Sequence, residues 1–146
     1  MIVREAQVED APKVAQLMGQ LGYPITEEEM RSNIQNFFKM PWHLAWVVEE
    51  EKEIVGCVAL SIGQMFHRNK KSARITAIVV DEKHRRKGIG RLLLHTAEKY
   101  AKHRGCEGME LTSGIHRAPL GSHDFYKAFG YEEFNDRKKY FVKSFL

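Results

Sequence analysis

The sequence contains little cysteine and no long apolar run. Its two cysteines among 146 residues, Cys57 and Cys106, lie in apolar segments and show no metal-ligand spacing. This excludes a disulfide-built scaffold and favours a reducing intracellular setting. No apolar stretch approaches the roughly 20 residues that a membrane helix needs, and the opening stretch MIVREAQVED carries acids instead of the apolar core of a signal peptide. We therefore expect a cytoplasmic protein with no membrane contact and no metal.

The apolar content, in contrast, suffices for a folded domain. Hydrophobic residues make up 43% of the chain, and a chain of this length buries most of its apolar surface in one core. No internal repeat or linker interrupts it, so we predict a single domain over 1–146. The net charge of +4 and the pI of about 9.1 leave polyanionic partners open, because much of the positive charge is local. It lies in 67–71, 83–91 and 137–139.

Periodicity and turn residues predict strands and helices in the order βααβββαβαββ. The predicted strands cover 2–6, 43–50, 53–63, 73–81, 108–114, 131–135 and 138–145, and the predicted helices cover about 12–22, 26–39, 88–105 and 123–130. Thr26 and Glu29, with helical spacing between them, form a capping box that marks a helix start. Helical periodicity gives the third helix an apolar face, formed by Ile89, Leu92, Leu93, Thr96, Ala97 and Tyr100.

Residues 81–91, DEKHRRKGIGR, join a buried strand to this third helix through a glycine turn in a basic cluster. In such a connection, unpaired backbone N–H groups converge on an anion, and glycine lets the anion come close. Arginine and lysine around the turn add donors for phosphate oxygens. The stretch therefore predicts a phosphate-binding turn, with a merely solvated basic loop as the alternative.

Several phosphate-binding classes are not indicated. The pattern G-x-x-x-x-G-K-[ST] does not occur, so a kinase or NTPase of that type is not expected. The segment Gly88-Ile89-Gly90 supplies only the start of a dinucleotide fingerprint, and Leu93 stands where its third glycine belongs. Nucleic acid is not the expected partner, because the basic stretch has no interleaved aromatic residues and the chain shows no helix-turn-helix or zinc pattern.

Two separated motifs resemble one known family. Arg85-Arg86-Lys87-Gly88-Ile89-Gly90 resembles the R/Q-x-x-G-x-G/A pyrophosphate motif of the GNAT acyltransferases, and Ile78-Val79-Val80-Asp81 before it resembles their apolar strand. Downstream, the stretch 123–131, HDFYKAFGY, is similar to the F/L-Y-x-x-x-G-F/Y element of that family. The order of elements also agrees. The resemblance implies an α/β (α+β) fold in which a twisted, mixed, mostly antiparallel sheet of about seven strands is flanked by about four helices.

The resemblance implies acetyl-CoA as cosubstrate. Its pyrophosphate would lie on the glycine turn, and its pantetheine arm would pair with the backbone of the preceding strand. The implied cofactor-binding residues are Ile78, Val79, Val80, Arg85, Arg86, Lys87, Gly88, Ile89, Gly90 and Arg91. Side chains of the strand can pack in the core at the same time, because it is the backbone that would bind.

Direct transfer of an acetyl group to an amine needs a neutral nucleophile, a donor for the oxyanion and a proton for the departing thiolate. No acyl-enzyme is required. By resemblance, Tyr126 donates this proton, and a phenol is protonated at neutral pH. The alternative is that Tyr126 is a packing aromatic beside Phe125 and Phe129.

The general base is left open by the sequence. Some relatives carry a glutamate on the strand before the glycine turn, but this strand has no carboxylate there. The candidates are His116, His123 and Glu110, while a water relay or an already neutral amine could also serve. Pro119 stands where many relatives carry an asparagine that contacts the cofactor arm.

The expected activity is N-acetylation of a primary amine on a small molecule or a protein. By resemblance, the acceptor would be recognised by the first two helices and by the loops 22–29, 63–70 and 113–122. A homodimer is left open. The competing hypothesis is a CoA-binding module of the same fold with a regulatory or partner-binding role and little catalysis.

Overall fold

The computed structural model describes residues 1–114, 117 and 120–146. Contacts divide the chain into two compact units, Met1–Leu111 and Thr112–Leu146. None of the described helices combines the length and the apolar character needed to cross a membrane.

The first unit is a mixed five-stranded sheet with three α-helices. Its strands are β1 (Ile2–Glu5), β2 (His43–Glu50), β3 (Glu53–Gln64), β4 (Lys71–Val80) and β5 (Cys106–Glu110), and its helices are α1 (Ala11–Leu21), α2 (Glu27–Phe37) and α3 (Ile89–His103). The strands lie in the order β1-β2-β3-β4-β5. Pairing is antiparallel from β1 to β4 and parallel between β4 and β5. The predicted mixed, mostly antiparallel sheet is thus confirmed for this unit.

Local signals fix several element boundaries. At the start of α2, the Thr26 hydroxyl accepts the Glu29 N–H at 3.1 Å, as the capping box predicts. The hairpin between β2 and β3 turns at Glu51 and Lys52, whose φ angles of 51° and 66° give the left-handed backbone of a tight hairpin turn.

Helices cover both faces of the sheet in the first unit. On one face, α1 and α2 pack on strand side chains in a cluster whose buried members are Ala6, Val14, Leu17, Val47, Ile54, Cys57 and Val79. On the other face lies α3, whose Tyr100 ring contacts the Trp46 ring of β2 at 5.4 Å between centroids. The end of β4 and the start of α3 are therefore held by packing on both sides.

Gly56 of β3 is the point of closest approach between the sheet and α3. A Cβ built there would lie 3.0 Å from side-chain carbons of both Ile89 and Leu93 and 3.3 Å from the Val79 carbonyl oxygen. We expect Gly56→Ala to lower the free energy of unfolding by about 1–3 kcal/mol, because these neighbours are buried and must shift. Urea denaturation measures this, with Gly63→Ala on the same strand as control, since no atom lies within 4 Å of its Cβ position. Equal stability of the two variants would contradict the expected overpacking.

Among the described residues of the second unit there is one α-helix, α4 (Ser122–Ala128), at the predicted position. Its end is closed by two hydrogen bonds, from the Tyr131 N–H to the Tyr126 carbonyl and from the Gly130 N–H to the Lys127 carbonyl, both 3.1 Å. This paired pattern requires a left-handed residue, and Gly130 has a φ of 89°. The glycine of the second sequence motif is thus explained by helix termination.

The C-terminal strands predicted at 131–135 and 138–145 are not formed, so the described residues contain five strands instead of seven. The chain instead turns at Phe134, whose carbonyl accepts the N–H groups of Arg137 and Lys138 at 2.9 and 2.8 Å. Side chains beyond this turn are exposed, Phe141 by 87%. An alternating apolar pattern supplies one face of a strand, but a strand forms only where a neighbour takes its backbone hydrogen bonds. β5 is also displaced, ending at Glu110 although the prediction extends to 114.

Candidate active site

The connection between β4 and α3 is a turn built from two left-handed residues. After a short 3₁₀ turn over Glu82–His84, Arg86 has a φ of 66° and Gly88 a φ of 81°. The first helical hydrogen bond runs from the Leu92 N–H to the Gly88 carbonyl at 3.1 Å. The Ile89 and Gly90 amides, which precede Leu92 in this turn, therefore have no acceptor within the helix.

Gly88 leaves the space in front of these amides open. It precedes α3 as the N-cap and supplies no side-chain capping bond. A Cβ built on it would meet no atom within 4 Å. The positive end of the helix dipole and bare amides thus face an accessible space, which is the arrangement that binds anions.

Basic side chains surround the turn. Arg85, Arg86, Lys87 and Arg91 are all exposed. Arg85 Nε donates to the Val80 carbonyl at 3.4 Å, and Lys87 Nζ lies 3.9 Å from a carboxylate oxygen of Glu50. A cavity of about 320 Å³ opens beside the turn, lined by Met1, Gly88, Arg91, Leu92 and His95. The turn is therefore both positively charged and accessible.

The strand leading into the turn has an open edge. β5 pairs with β4 only along Lys71–Arg74, and among the described residues no other strand borders the rest of that side. The Asp81 N–H donates to the Val55 carbonyl at 2.8 Å. Since residues of an antiparallel ladder alternate in direction, the backbone groups of Val79 face β3, whereas those of Ile78 and Val80 face the open side.

A β-bulge interrupts β4 next to this edge. Leu60 pairs with Ile75 and Ala59 with Ala77, so Thr76 is the extra residue. The Thr76 hydroxyl contacts the Ala59 carbonyl at 3.4 Å. Bulges bend a strand and are common beside active sites. The sequence carries no signal for this bulge, because the bulge is a property of the pairing with β3.

Tyr126 lies in α4 of the second unit within a group of aromatic rings. Its ring contacts those of Phe125 at 5.4 Å and Tyr131 at 6.1 Å between centroids. Among the described residues, its hydroxyl has no hydrogen-bond partner. Burial raises the pKa of the Tyr126 phenol, an effect that the positive charge of Arg117 partly offsets. The phenol is therefore a protonated donor at neutral pH.

The predicted base candidates have different surroundings. Glu110 pairs with Arg74 across β4 and β5, with 3.1 Å between Oε1 and Nη1, so one of its oxygens already accepts a guanidinium N–H. His123 Nε2 lies 3.1 Å from the Gly114 carbonyl. His116 and Pro119 lie outside the described residues. Among the residues that the structure does describe, no three His, Cys, Asp or Glu side chains come together as a metal site.

Comparison with known proteins decides the family. The family model of the acetyltransferase (GNAT) family matches residues 8–131, which includes the glycine turn and Tyr126. The chain belongs to this family. The GNAT resemblance noted in the sequence is thereby confirmed, and the match spans residues of both units.

Relatives and solved structures agree with the GNAT assignment. An uncharacterized N-acetyltransferase of Methanocaldococcus jannaschii is 32% identical over 63% of this chain and 45% of its own length, and one of Chlorobaculum tepidum is 29% identical over 95% of this chain and 79% of its own. The glucosamine-6-phosphate N-acetyltransferase of Arabidopsis thaliana shares the fold, with a TM-score of 0.80, 24% identity and coverage of 99% of this chain and 97% of that one. This chain thus spans less than half of the archaeal relative that it matches.

Proposed function

We propose that this GNAT protein is an acetyl-CoA-dependent N-acetyltransferase that acts on a primary amine of a small molecule or a protein. The proposal rests on one observation: the open edge of β4 and the glycine turn adjoin each other. The open edge of β4 at Ile78 and Val80 leads directly into the glycine turn at Gly88, where helix amides and basic side chains meet.

Coenzyme A matches these two features in its chemistry. It carries a diphosphate, which suits the bare amides around Gly88 and the guanidinium groups beside them. Its pantetheine arm carries amide groups, which can pair with the outward N–H and C=O groups of Ile78 and Val80 as an added strand would. Val79 has a structural role, because its side chain is buried in the core cluster beneath α1.

Bound acetyl-CoA supplies an acetyl group activated as a thioester. The amine nitrogen of the acceptor bonds to the acetyl carbon while the bond from that carbon to sulfur breaks. The Tyr126 hydroxyl donates its proton to the departing thiolate, and its raised pKa keeps it protonated until then. The proton of the amine leaves to solvent or to a base, and no acyl group is carried by a side chain.

We assign no carboxylate to the role of base. Glu110 is engaged by Arg74, and β4 offers no acidic side chain from Lys71 to Val80. An acceptor that arrives as a neutral amine, or a water relay, fulfils the requirement without one. His116 stays a prediction from the sequence.

Release of free thiol tests the proposal directly. The protein is mixed with acetyl-CoA and each member of a panel of primary amines, including polyamines, amino sugars and lysine peptides, and coenzyme A is measured with a thiol reagent. We expect thiol release that depends on both protein and amine, matched by one acetylated amine per thiol in mass spectrometry. Coenzyme A binding without turnover across the panel would favour a binding module instead, and absence of binding would reject both.

A further inference from the structure

Asp81 is a buried carboxylate at the end of β4, directly before the glycine turn, and it is 3% exposed. Its Oδ1 accepts the Lys83 N–H at 3.1 Å and Gln20 Nε2 at 3.4 Å, and its Oδ2 accepts Lys13 Nζ at 3.1 Å. Burial raises the pKa of Asp81, but the hydrogen bonds from Lys83, Lys13 and Gln20 outweigh it and lower the pKa to about 2. The carboxylate is therefore charged at neutral pH and fully engaged.

Gln20 of α1 contacts two successive residues of this connection. Its Nε2 donates to Asp81, and its Oε1 accepts the Glu82 N–H at 2.9 Å. One side-chain amide thus uses both its donor and its acceptor on the chain at the start of the 3₁₀ turn. Lys13 contacts Asp81 from the same helix and also reaches Glu53 Oε1 at 3.3 Å. Helix α1 is thereby tied to the polypeptide just before the glycine turn.

The position of the turn depends on this attachment. Only a short segment separates Glu82 from Gly88, and it contains Arg86 in the left-handed region, where a residue other than glycine is strained. Such a conformation persists only when its surroundings hold it. The amides of the glycine turn are fixed on one side by α3 and on the other by the contact of Asp81 and Glu82 with Gln20.

We propose that Gln20 is a positioning residue that acts through Asp81 and Glu82 to hold the glycine turn in the shape that binds a diphosphate. Gln20 itself touches no ligand in this proposal. The inference rests on the proposed function, since the diphosphate considered is that of coenzyme A. The proposal adds a residue of α1 to a binding site that is otherwise formed by β4, α3 and the turn between them.

The test compares Gln20→Met with Gln16→Met. Methionine keeps the length of glutamine but has no amide, and Gln16 is exposed one turn earlier on the same helix. We expect the Kd for coenzyme A by calorimetry, and the KM for acetyl-CoA, to rise about tenfold in Gln20→Met, which corresponds to the loss of roughly one net hydrogen bond. The kcat and the KM for the amine should be unchanged, and Gln16→Met should match the wild type. A second variant, Gln20→Glu, keeps the acceptor for Glu82 but faces Asp81 with a like charge, so its affinity should fall at least as far.

Amide hydrogen exchange over 82–90 without ligand separates this inference from the proposed function. Exchange should be faster in Gln20→Met and unchanged in Gln16→Met. Failure of the wild type to bind coenzyme A rejects the proposed function, and the diphosphate role of Gln20 with it. Binding by the wild type, with equal affinity and equal exchange in Gln20→Met, rejects the positioning role alone. A lowered Tm with unchanged Kd also rejects it, because that result would assign Gln20 to folding only.

Discussion

Replacement of Gly88 by glutamate is expected to weaken coenzyme A binding by about a hundredfold or more through charge repulsion, and to lower the Tm through backbone strain. Gly88 has a φ of 81°, and a side chain in this left-handed region costs about 1–2 kcal/mol. The new carboxylate would also stand before the amides of α3 and repel a diphosphate. Two like charges that are 4 Å apart near a protein surface repel each other by about 4 kcal/mol. The repulsion exists only in the bound state and accounts for the loss of affinity, whereas the strain is the same with and without ligand and lowers the Tm.

Gly105→Glu is the matched control for this experiment. Gly105 follows the other end of α3, has a φ of 80° and meets no atom within 4 Å of its Cβ position. Both variants therefore carry the same backbone strain and the same added charge, but only one carries them at the turn. Thermal unfolding should show a loss of Tm in both variants, the larger one in Gly105→Glu because a carboxylate at the C-terminal end of a helix opposes its dipole. Calorimetry with coenzyme A should show a loss of affinity in Gly88→Glu alone. Equal affinity of both variants would mean that the diphosphate does not lie on this turn.

Elements with strong local signals could be predicted from the sequence. The third helix was predicted over 88–105 and extends from Ile89 to His103, because its apolar periodicity ends at glycines on both sides. β5 was predicted too late in the chain, since pairing of Cys106 with Lys71 fixes its place. The two C-terminal segments had the pattern of strands and form none, because the pattern does not contain the partner that a strand needs.

The candidate site likewise contains parts that the local sequence predicts and parts that depend on long-range contacts. The glycine turn was predictable, since its glycines, its charges and its helix are neighbours in sequence. The bulge at Thr76, the direction of Val79 and the attachment of Gln20 to Glu82 depend on pairing or on contact over 62 positions, and a single sequence does not encode them locally. Glu110 was a candidate base because of its residue type, and only the register of β4 and β5 shows Arg74 beside it.

Removal of the Tyr126 hydroxyl tests the chemical step. We expect Tyr126→Phe to lower kcat by about a hundredfold or more, the lower range for loss of a general acid, with the KM for acetyl-CoA unchanged. The protonated phenol is the active form, and burial raises its pKa above the ordinary value of 10. Ionisation of Tyr126 should therefore cause no fall of the wild-type kcat as pH rises toward 10, and the Phe variant should be slower at every pH below that.

Tyr131→Phe serves as the control for a purely structural effect. Its ring lies 6.1 Å from that of Tyr126, so both variants remove a hydroxyl from the same aromatic group, and the family pattern accepts Phe at this position. Because phenylalanine preserves the ring contacts, the packing of the aromatic group should be kept in both variants. A proton donor and a packing residue are then separable: the donor role predicts that kcat falls in Tyr126→Phe only, at constant coenzyme A affinity. Full activity of Tyr126→Phe would leave this ring with a packing role and transfer the proton donation to solvent.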